Sequence, residues 1–494
     1  MKPHHPLSSA LLASLMLAAT SLAADQPNVL LIYADDIGYG DLGCYGATKV
    51  KTPHCDRLAA EGLRFTDGHS VASVCTPSRY SMLTGEYAFR KKGTGIASGI
   101  DGLLIDPSRT TLPAVFKGAG YATAVIGKWH LGLGTAPTNY NQPIKPGPRE
   151  VGFDAAWIMP ATGDRVPCVW VENDHVVNLD PADPIKLDYS IQRGSPESMV
   201  KGIPRIGGQQ GGTAALWQDD EMSTVIARKS CEFIEAHKAQ PFFLFMSTHN
   251  IHVPRVPNPR FKGSSACGVR GDAIVEFDWM VGQVLAQLEN LGLASNTLVV
   301  LSRDNGGVLD NNGPDKVHGC GDPEATNGHQ PNGALRGTKG TVWEGGTRVP
   351  WIVRWPEKVK PGTSDALMSQ VDFLASFAAL TGRKITAGHA PDSENHLPAL
   401  LGEVRIGREF LLSQGNTGAP FGLRYGTWKL MPGGGQTGGA KKLFNLAEDL
   451  GETREVTTDH PDVVAKMTAK LQQITGLAPT SKRPATPKNR RAKP

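Results

Sequence analysis

Short apolar runs alternate with longer amphipathic segments along most of this chain, and that rhythm leaves few folds open. Asn28–Ala34 (NVLLIYA), Leu63–Ser70, Tyr121–Ile126, Pro241–Met246 (PFFLFM), Leu298–Leu301 and Trp351–Val353 read as strands. Thr52–Glu61, Thr111–Gly118, Met222–His237, Ala273–Leu291 and Val371–Leu380 have helical spacing, with Gly120 marking the end of the second. Strand–helix alternation of this kind predicts an α/β fold in which a large, mostly parallel sheet is sandwiched by helices, over residues 25–400. From about Arg408 the rhythm changes to close-spaced strands (Phe410–Ser413, Phe421–Leu430, Lys442–Leu446) and a helix around Val463–Ile474. This predicts a smaller C-terminal α+β domain over 401–478, followed by a basic tail, 479–494, that reads as disordered.

Met1–Ala24 has the form of a secretory signal: Lys2, an uncharged stretch Leu7–Leu22 rich in Leu, Ala and Ser, and small residues at Ser21–Ala24. No other stretch is apolar for the roughly 20 residues needed to span a bilayer, so the expectation is an exported protein, periplasmic or extracellular, without a membrane span. The net charge of +4 comes from the tail: without its six Lys and Arg the rest carries −2, which gives nucleic acid nothing to bind. The seven cysteines are an odd number for a disulfide-permissive compartment, and none lies in a Cys-x-x-Cys pair that would indicate zinc.

In a parallel α/β sheet, ligands bind beyond the carboxyl ends of the strands. Four of the expected strands end in chemistry-bearing residues: Asp35 and Asp36; Lys128 and His130; His249 and His252; Asp304 and Asn305. Singly, a strand-end Asp is usually a turn former and a lone His a structural residue. Their convergence on one sheet edge is the informative observation. Asp35, Asp36, Asp304 and Asn305 are all oxygen donors, the set preferred by a hard cation such as Ca²⁺, with Mg²⁺ as the competing reading. Facing them, Arg79, Lys128, His130, His249 and Lys339 are cationic or can become so, and a divalent cation opposite such groups describes a site for a tetrahedral oxyanion ester. Cys75, in Cys75-Thr76-Pro77-Ser78-Arg79, precedes a short predicted helix from about Pro77 to Leu83, whose amino end favours negative charge. Cys75 is the candidate nucleophile; taken alone, the segment reads equally well as a buried Cys before a helix.

Together these stretches resemble the type I sulfatases, relatives of alkaline phosphatase. The matching segments, in order, are NVLLIYADDIGYGDL (28–42), CTPSRYSMLTG (75–85), GKWHLG (127–132), HNIHVP (249–254), DNGG (304–307), LRGTKGTVWEGGTRVP (335–350) and LFNLAEDLGE (443–452). The resemblance implies an alkaline-phosphatase-like sheet and a hydrolase of sulfuric esters. It implies that a maturation enzyme oxidises Cys75 to Cα-formylglycine, whose hydrate is the nucleophile and completes a calcium site made by Asp35, Asp36, Asp304 and Asn305. Arg79 would hold the hydrate, and Lys128, Lys339 and His249 would bind the sulfuryl oxygens. His249 would protonate the leaving alcohol, with Lys339 as a second candidate, and His130 would take the proton from the second hydroxyl as sulfate leaves.

Two positions depart from the family pattern: Arg303 stands where the family usually has Ser, and Ile251 where it has Pro. His252, Asp164 and Arg165 of the segment Ala161–Asp174, and His329 are candidate sugar contacts, with solvated loop charge as the plain alternative for the loop residues. Export favours a sulfated carbohydrate substrate, such as glycosaminoglycan or algal galactan fragments. The competing functions are a phosphodiester or phosphonate monoester hydrolase of the same superfamily and a non-catalytic binder of sulfated glycans.

Overall fold

All seven residues of the Asn28–Ala34 strand are buried, and both of its neighbours run parallel to it. The computed structural model describes residues 26–308, 327–416, 421–433 and 440–476; the expected leader, the basic tail and Cys320 lie outside them. The main sheet has ten strands. From one edge to the other they are Gly362–Ser364, Leu63–Phe65, Trp351–Arg354, Thr297–Arg303, Asn28–Ala34, Phe242–Ser247, Ala122–Lys128, Ala155–Met159, Val171–Glu172 and His175–Val176. The central five, from Thr297–Arg303 to Ala155–Met159, are parallel, and antiparallel pairing is confined to the flanks.

Because side chains alternate along a strand, each central strand feeds two cores. Val29, Leu31 and Tyr33 face an aromatic layer in which Phe116 stacks on Phe243 at 4.3 Å. Leu30, Ile32 and Ala34 face the helices Met222–Ala236 and Gly268–Asn290 through Ile226, Ile234, Ile274, Phe277 and Val281. Helices therefore cover both faces, as the alternation predicted.

Two expected strands are broken. Leu63–Ser70 splits into Leu63–Phe65 and Gly68–His69, because Asp67 leaves the ladder to meet Arg348 and Arg424. Phe421–Leu430 is a hairpin, Phe421–Tyr425 and Trp428–Met431, turning at Gly426 with φ +51°. With Phe410–Gln414 and Lys442–Asn445 these strands form an antiparallel sheet of four, packed on the helix Pro461–Thr475 through Leu423, Leu430, Leu443, Met467 and Leu471. The six described cysteines are all free thiols.

The central ladder continues past the strand ends. Asp35 N donates to Asn250 O at 3.0 Å, Asp304 N to Ala34 O at 3.3 Å, and His130 N to Pro160 O at 3.1 Å. Asp36 and His130 then turn through left-handed backbone, φ +61° and +57°. That conformation costs a non-glycine residue on the order of 1 kcal/mol and swings its side chain over the sheet edge. Gly127 allows the close approach of two of these strands. A Cβ there would lie 1.9 Å from Ser247 O, and its φ is +107°, whereas a Cβ at Gly120, φ +87°, meets nothing within 4 Å. Gly127→Ala is expected to lower stability by about 3 kcal/mol and Gly120→Ala by about 1 kcal/mol, read as shifts in denaturant midpoint. Equal shifts would contradict the packing argument.

Candidate active site

Three buried carboxylates meet at the carboxyl edge of the central strands: the ligand atoms of Asp35, Asp36 and Asp304 lie within 4.8 Å of one another. Like charges so close repel, and cations are interleaved among them. Lys128 Nζ is 2.5 Å from Asp35 Oδ2 and 3.8 Å from Asp304 Oδ2. Arg79 Nε and Nη2 both donate to Asp304 Oδ2, at 3.0 and 2.9 Å. Lys339 Nζ bridges the two oxygens of Asp36 at 2.7 and 2.8 Å. Asn305 Nδ2 donates to Asp36 Oδ1 at 2.8 Å. Burial and the neighbouring Asp304 push Asp35 up to about 8 despite Lys128. At Asp36 burial acts in the same upward direction, but Lys339, His252 and Lys128 outweigh it and hold the carboxyl well below its ordinary range.

Three oxygens in this cluster, Asp35 Oδ1, Asp304 Oδ1 and Asn305 Oδ1, are buried with no protein hydrogen-bond partner. Leaving such atoms unsatisfied costs about 1–3 kcal/mol each, more for charged groups. A divalent cation accepted by hard oxygens fits this donor set, and Asp35 also lies with His249 and His252 in a group whose ligand atoms are within 4.8 Å of one another.

Cys75 is the first residue of the helix Cys75–Thr84 and is 2% exposed. Arg79 lies one turn on, on the same side of the helix. The grip of Arg79 on Asp304 and the bond from Thr76 Oγ1 to His130 O, at 3.0 Å, place the head of this helix beside the cluster. Residues not singled out from the sequence steady this arrangement. Ser247 Oγ accepts from Arg79 Nη1 at 2.5 Å and donates to Lys128 O at 2.7 Å, and the Tyr33 ring lies under the Arg79 guanidinium at 5.2 Å. Ser247 closes the strand whose apolar run ends at Met246, so its place was within reach of the strand-end rule; Tyr33 looks like any core residue.

The histidines differ in their surroundings. His130 Nε2 is 3.0 Å from Ala97 O and 3.3 Å from Arg165 Nη1; with the proton on Nε2, bonded to the carbonyl, the buried and unpartnered Nδ1 is the lone-pair nitrogen. Burial, then Lys128, Arg165 and Arg79, push its pKa well down, so the ring is neutral. Both ring nitrogens of buried His249 lack a hydrogen-bond partner, and burial with Lys128 lowers it to about 3. Gly163 leaves room for this ring, since a Cβ there would lie 2.7 Å from His249 Nε2. His252 Nε2 is 3.9 Å from Asp36 Oδ2, while its Nδ1 is 2.7 Å from Val253 O.

Of Ala161–Asp174, expected as a polar insertion, residues 161–170 are almost entirely buried and wall one side of the site, and only its end, 172–174, reaches the surface. Arg165 Nη1 donates to Ala97 O at 2.9 Å and lies 3.3 Å from His130 Nε2, and its Nε lies 3.2 Å from Asp164 Oδ1. His329 belongs to a different group: its Nε2 is 2.7 Å from Asp41 Oδ1, whose other oxygen takes Arg270 at 2.6 Å, leaving only Nδ1 for a ligand. Arg303 is 1% exposed, its three guanidinium nitrogens have no hydrogen-bond partner among the described residues, and burial lowers it to about 10.

Most of the chain is similar to proteins of one family. Residues 27–383 match the sulfatase family profile. The chain is 43% identical to an N-acetylgalactosamine-6-O-sulfatase of Bacteroides thetaiotaomicron, over 91% of this chain and 93% of that one. It is 33% identical to human arylsulfatase A, over 80% of this chain and 72% of that one. A solved Bacteroides thetaiotaomicron structure, from work on the metabolism of multiple glycosaminoglycans, superposes with a TM-score of 0.87 at 42% identity, covering 92% of this chain and 100% of the other.

Beneath the His249–His252 loop, Glu276 accepts from Asn250 Nδ2 at 3.0 Å and Asn258 N at 3.1 Å, and burial raises it from 4.5 to about 7. The stability contributed by this protonated carboxyl is present in full below pH 4.5 and is lost as pH rises through about 7. Glu276→Gln is therefore expected to flatten the fall in unfolding free energy between pH 5 and 8 by up to about 3 kcal/mol, read by denaturant titration. An unchanged slope would remove Glu276 as its source.

Proposed function

Since this chain belongs to the sulfatase family and is a sulfuric ester hydrolase, we propose that its substrate is a sulfated carbohydrate, the 6-sulfate ester of N-acetylgalactosamine in glycosaminoglycan fragments. The observation carrying this reading is the 43% identity to an N-acetylgalactosamine-6-O-sulfatase, sustained over 91% of the chain. Export on the Met1–Ala24 leader would bring the enzyme to such a polymer. Among the described residues no helix is long and apolar enough to cross a membrane.

In this reading Asp35, Asp36, Asp304 and Asn305 hold Ca²⁺, which supplies a fixed positive charge for the sulfuryl oxygens. Formylglycine made from Cys75 supplies, as its hydrate, a hydroxyl nucleophile and a second hydroxyl that permits turnover, which an ordinary Cys or Ser lacks. Arg79 keeps Asp304 and the Lys128 carbonyl in register around position 75. Lys128 and Lys339, each against a carboxylate, present fixed ammonium groups to the ester oxygens. His249 is neutral at rest. An anionic ester beside it offsets Lys128 and favours a protonated ring, which can then give its proton to the leaving sugar oxygen. His130, with its lone pair on Nδ1, takes the proton of the second hydroxyl. Asp164, Arg165 and His252 read the sugar.

Peptide mass analysis after co-expression with a maturation enzyme should show position 75 about 18 Da lighter than Cys. Cys75→Ala should fold and release no sulfate; full activity from unmodified or Cys75→Ala protein would end this account. For the substrate, sulfate release is expected to be at least ten-fold faster, on the order of the discrimination a lost polar contact gives, from N-acetylgalactosamine 6-sulfate than from the 4-sulfate or from N-acetylglucosamine 6-sulfate. Faster release of the leaving alcohol from a matched phosphodiester or phosphonate monoester would favour the phosphoester hydrolase instead.

A further inference from the structure

A second group of buried charges lies behind the active site. Asp67, His69 and Glu344 offer ligand atoms within 4.8 Å of one another, yet arginines fill the space, so this is an ion-pair cluster. Glu344 is fully buried. Its Oε2 takes Arg348 Nε at 2.6 Å and Arg424 Nη1 at 3.4 Å, and its Oε1 takes Lys429 Nζ at 2.8 Å. Arg424 also grips Asp67 with two nitrogens, at 3.0 and 2.9 Å. Glu452 closes the group, 2.8 Å from Lys429 Nζ and accepting from Glu344 N at 2.7 Å. Three carboxylates thus balance three cations, and Arg424 and Lys429 come from the four-stranded C-terminal sheet.

What Glu344 anchors is a turn that touches both halves of the catalytic machinery. Within the short helix Glu344–Thr347, Gly346 O accepts from Gly306 N at 2.8 Å, next to Asn305, and Thr347 O accepts from Ser70 N at 2.9 Å, on the approach to Cys75. The same stretch begins at Lys339, whose neighbour Gly340 donates to Ser73 O at 2.7 Å. The fit has no slack, since a Cβ at Gly306 would lie 1.9 Å from Gly345 O.

We propose that Glu344 is a positioning residue for the sulfatase reaction: held by cations of the C-terminal sheet, it fixes the turn that sets Asn305 and Cys75 relative to each other. It touches no reacting atom and acts through the carbonyls of Gly346 and Thr347. Removing its charge leaves Arg348 and Lys429 under-compensated in a buried place, and the turn relaxes. The inference does not depend on which sugar the enzyme reads.

The test uses full-length E344Q, with conversion of Cys75 measured by peptide mass so that kcat is expressed per converted site. Metal-stripped protein is titrated with Ca²⁺ alone by calorimetry, or with Mg²⁺ if that is what the unmutated enzyme binds. The expected result is a folded protein whose metal Kd rises and whose kcat falls by about ten-fold or more, the range seen when groups supporting metal ligands are removed, with KM nearly unchanged. A purely structural role would lower Tm alone. Changes below about three-fold in both Kd and kcat, in folded E344Q, would overturn the proposal. Should E344Q not fold, R424K, which keeps the charge but loses the two-pronged grip on Asp67, decides by the same thresholds.

Discussion

Gathering the buried carboxyls of Asp35, Asp36 and Asp304 into one cluster is the interaction around which this molecule is organised. Two carboxylates 4 Å apart at an effective dielectric of about 20 repel by about 4 kcal/mol, so the trio cannot persist without nearby compensation. Arg79, Lys128 and Lys339 supply it, each within hydrogen-bond distance of one member. With Asp35 lifted to about 8 by burial, the trio carries no more negative charge than these cations offset, even before any metal or ester arrives. A divalent cation and an anionic ester therefore suit each other as guests, since each offsets the charge brought by the other.

The sheet makes that gathering possible. Parallel strands align their carboxyl ends, so residues as distant in sequence as Asp35, Lys128, Ser247 and Asp304 emerge side by side. Two cores, one on each face, hold the strands in register, and the ladder bonds beyond the strand ends extend that rigidity into the loops carrying the ligands. The C-terminal sheet adds support from behind: Ser73 N donates to Gln414 O at 2.8 Å, tying the Cys75 approach to a strand more than three hundred positions away.

Much of this was legible before any coordinates. The abrupt end of NVLLIYA in two Asp residues, and of the strands before Lys128 and Asp304, marks the site because an apolar run that stops in charge has to stop at an edge. The α/β architecture and the small C-terminal α+β unit follow from periodicity; the short helix expected from about Pro77, on the strength of that proline, begins at Cys75 itself. What escaped was set by tertiary placement. Nothing local distinguishes Tyr33 from its core neighbours, or the carbonyl of Ala97, which orients His130, from any other carbonyl. The strand Ala155–Met159, AAWIM, is short and has too few β-branched residues to stand out between Asp154 and Pro160. Residues 161–170 look solvated because of their Asp and Arg, yet those charges face one another inside the wall. His329 similarly resembles a free ligand until Asp41 is seen beside it.

The burial of Cys75, only 2% exposed at the floor of the site, bears on how the enzyme is made. If position 75 is converted as proposed, a modifying enzyme would find no room around so enclosed a side chain once the helix has packed. Conversion would then have to precede folding, and a chain that folded first would keep its thiol.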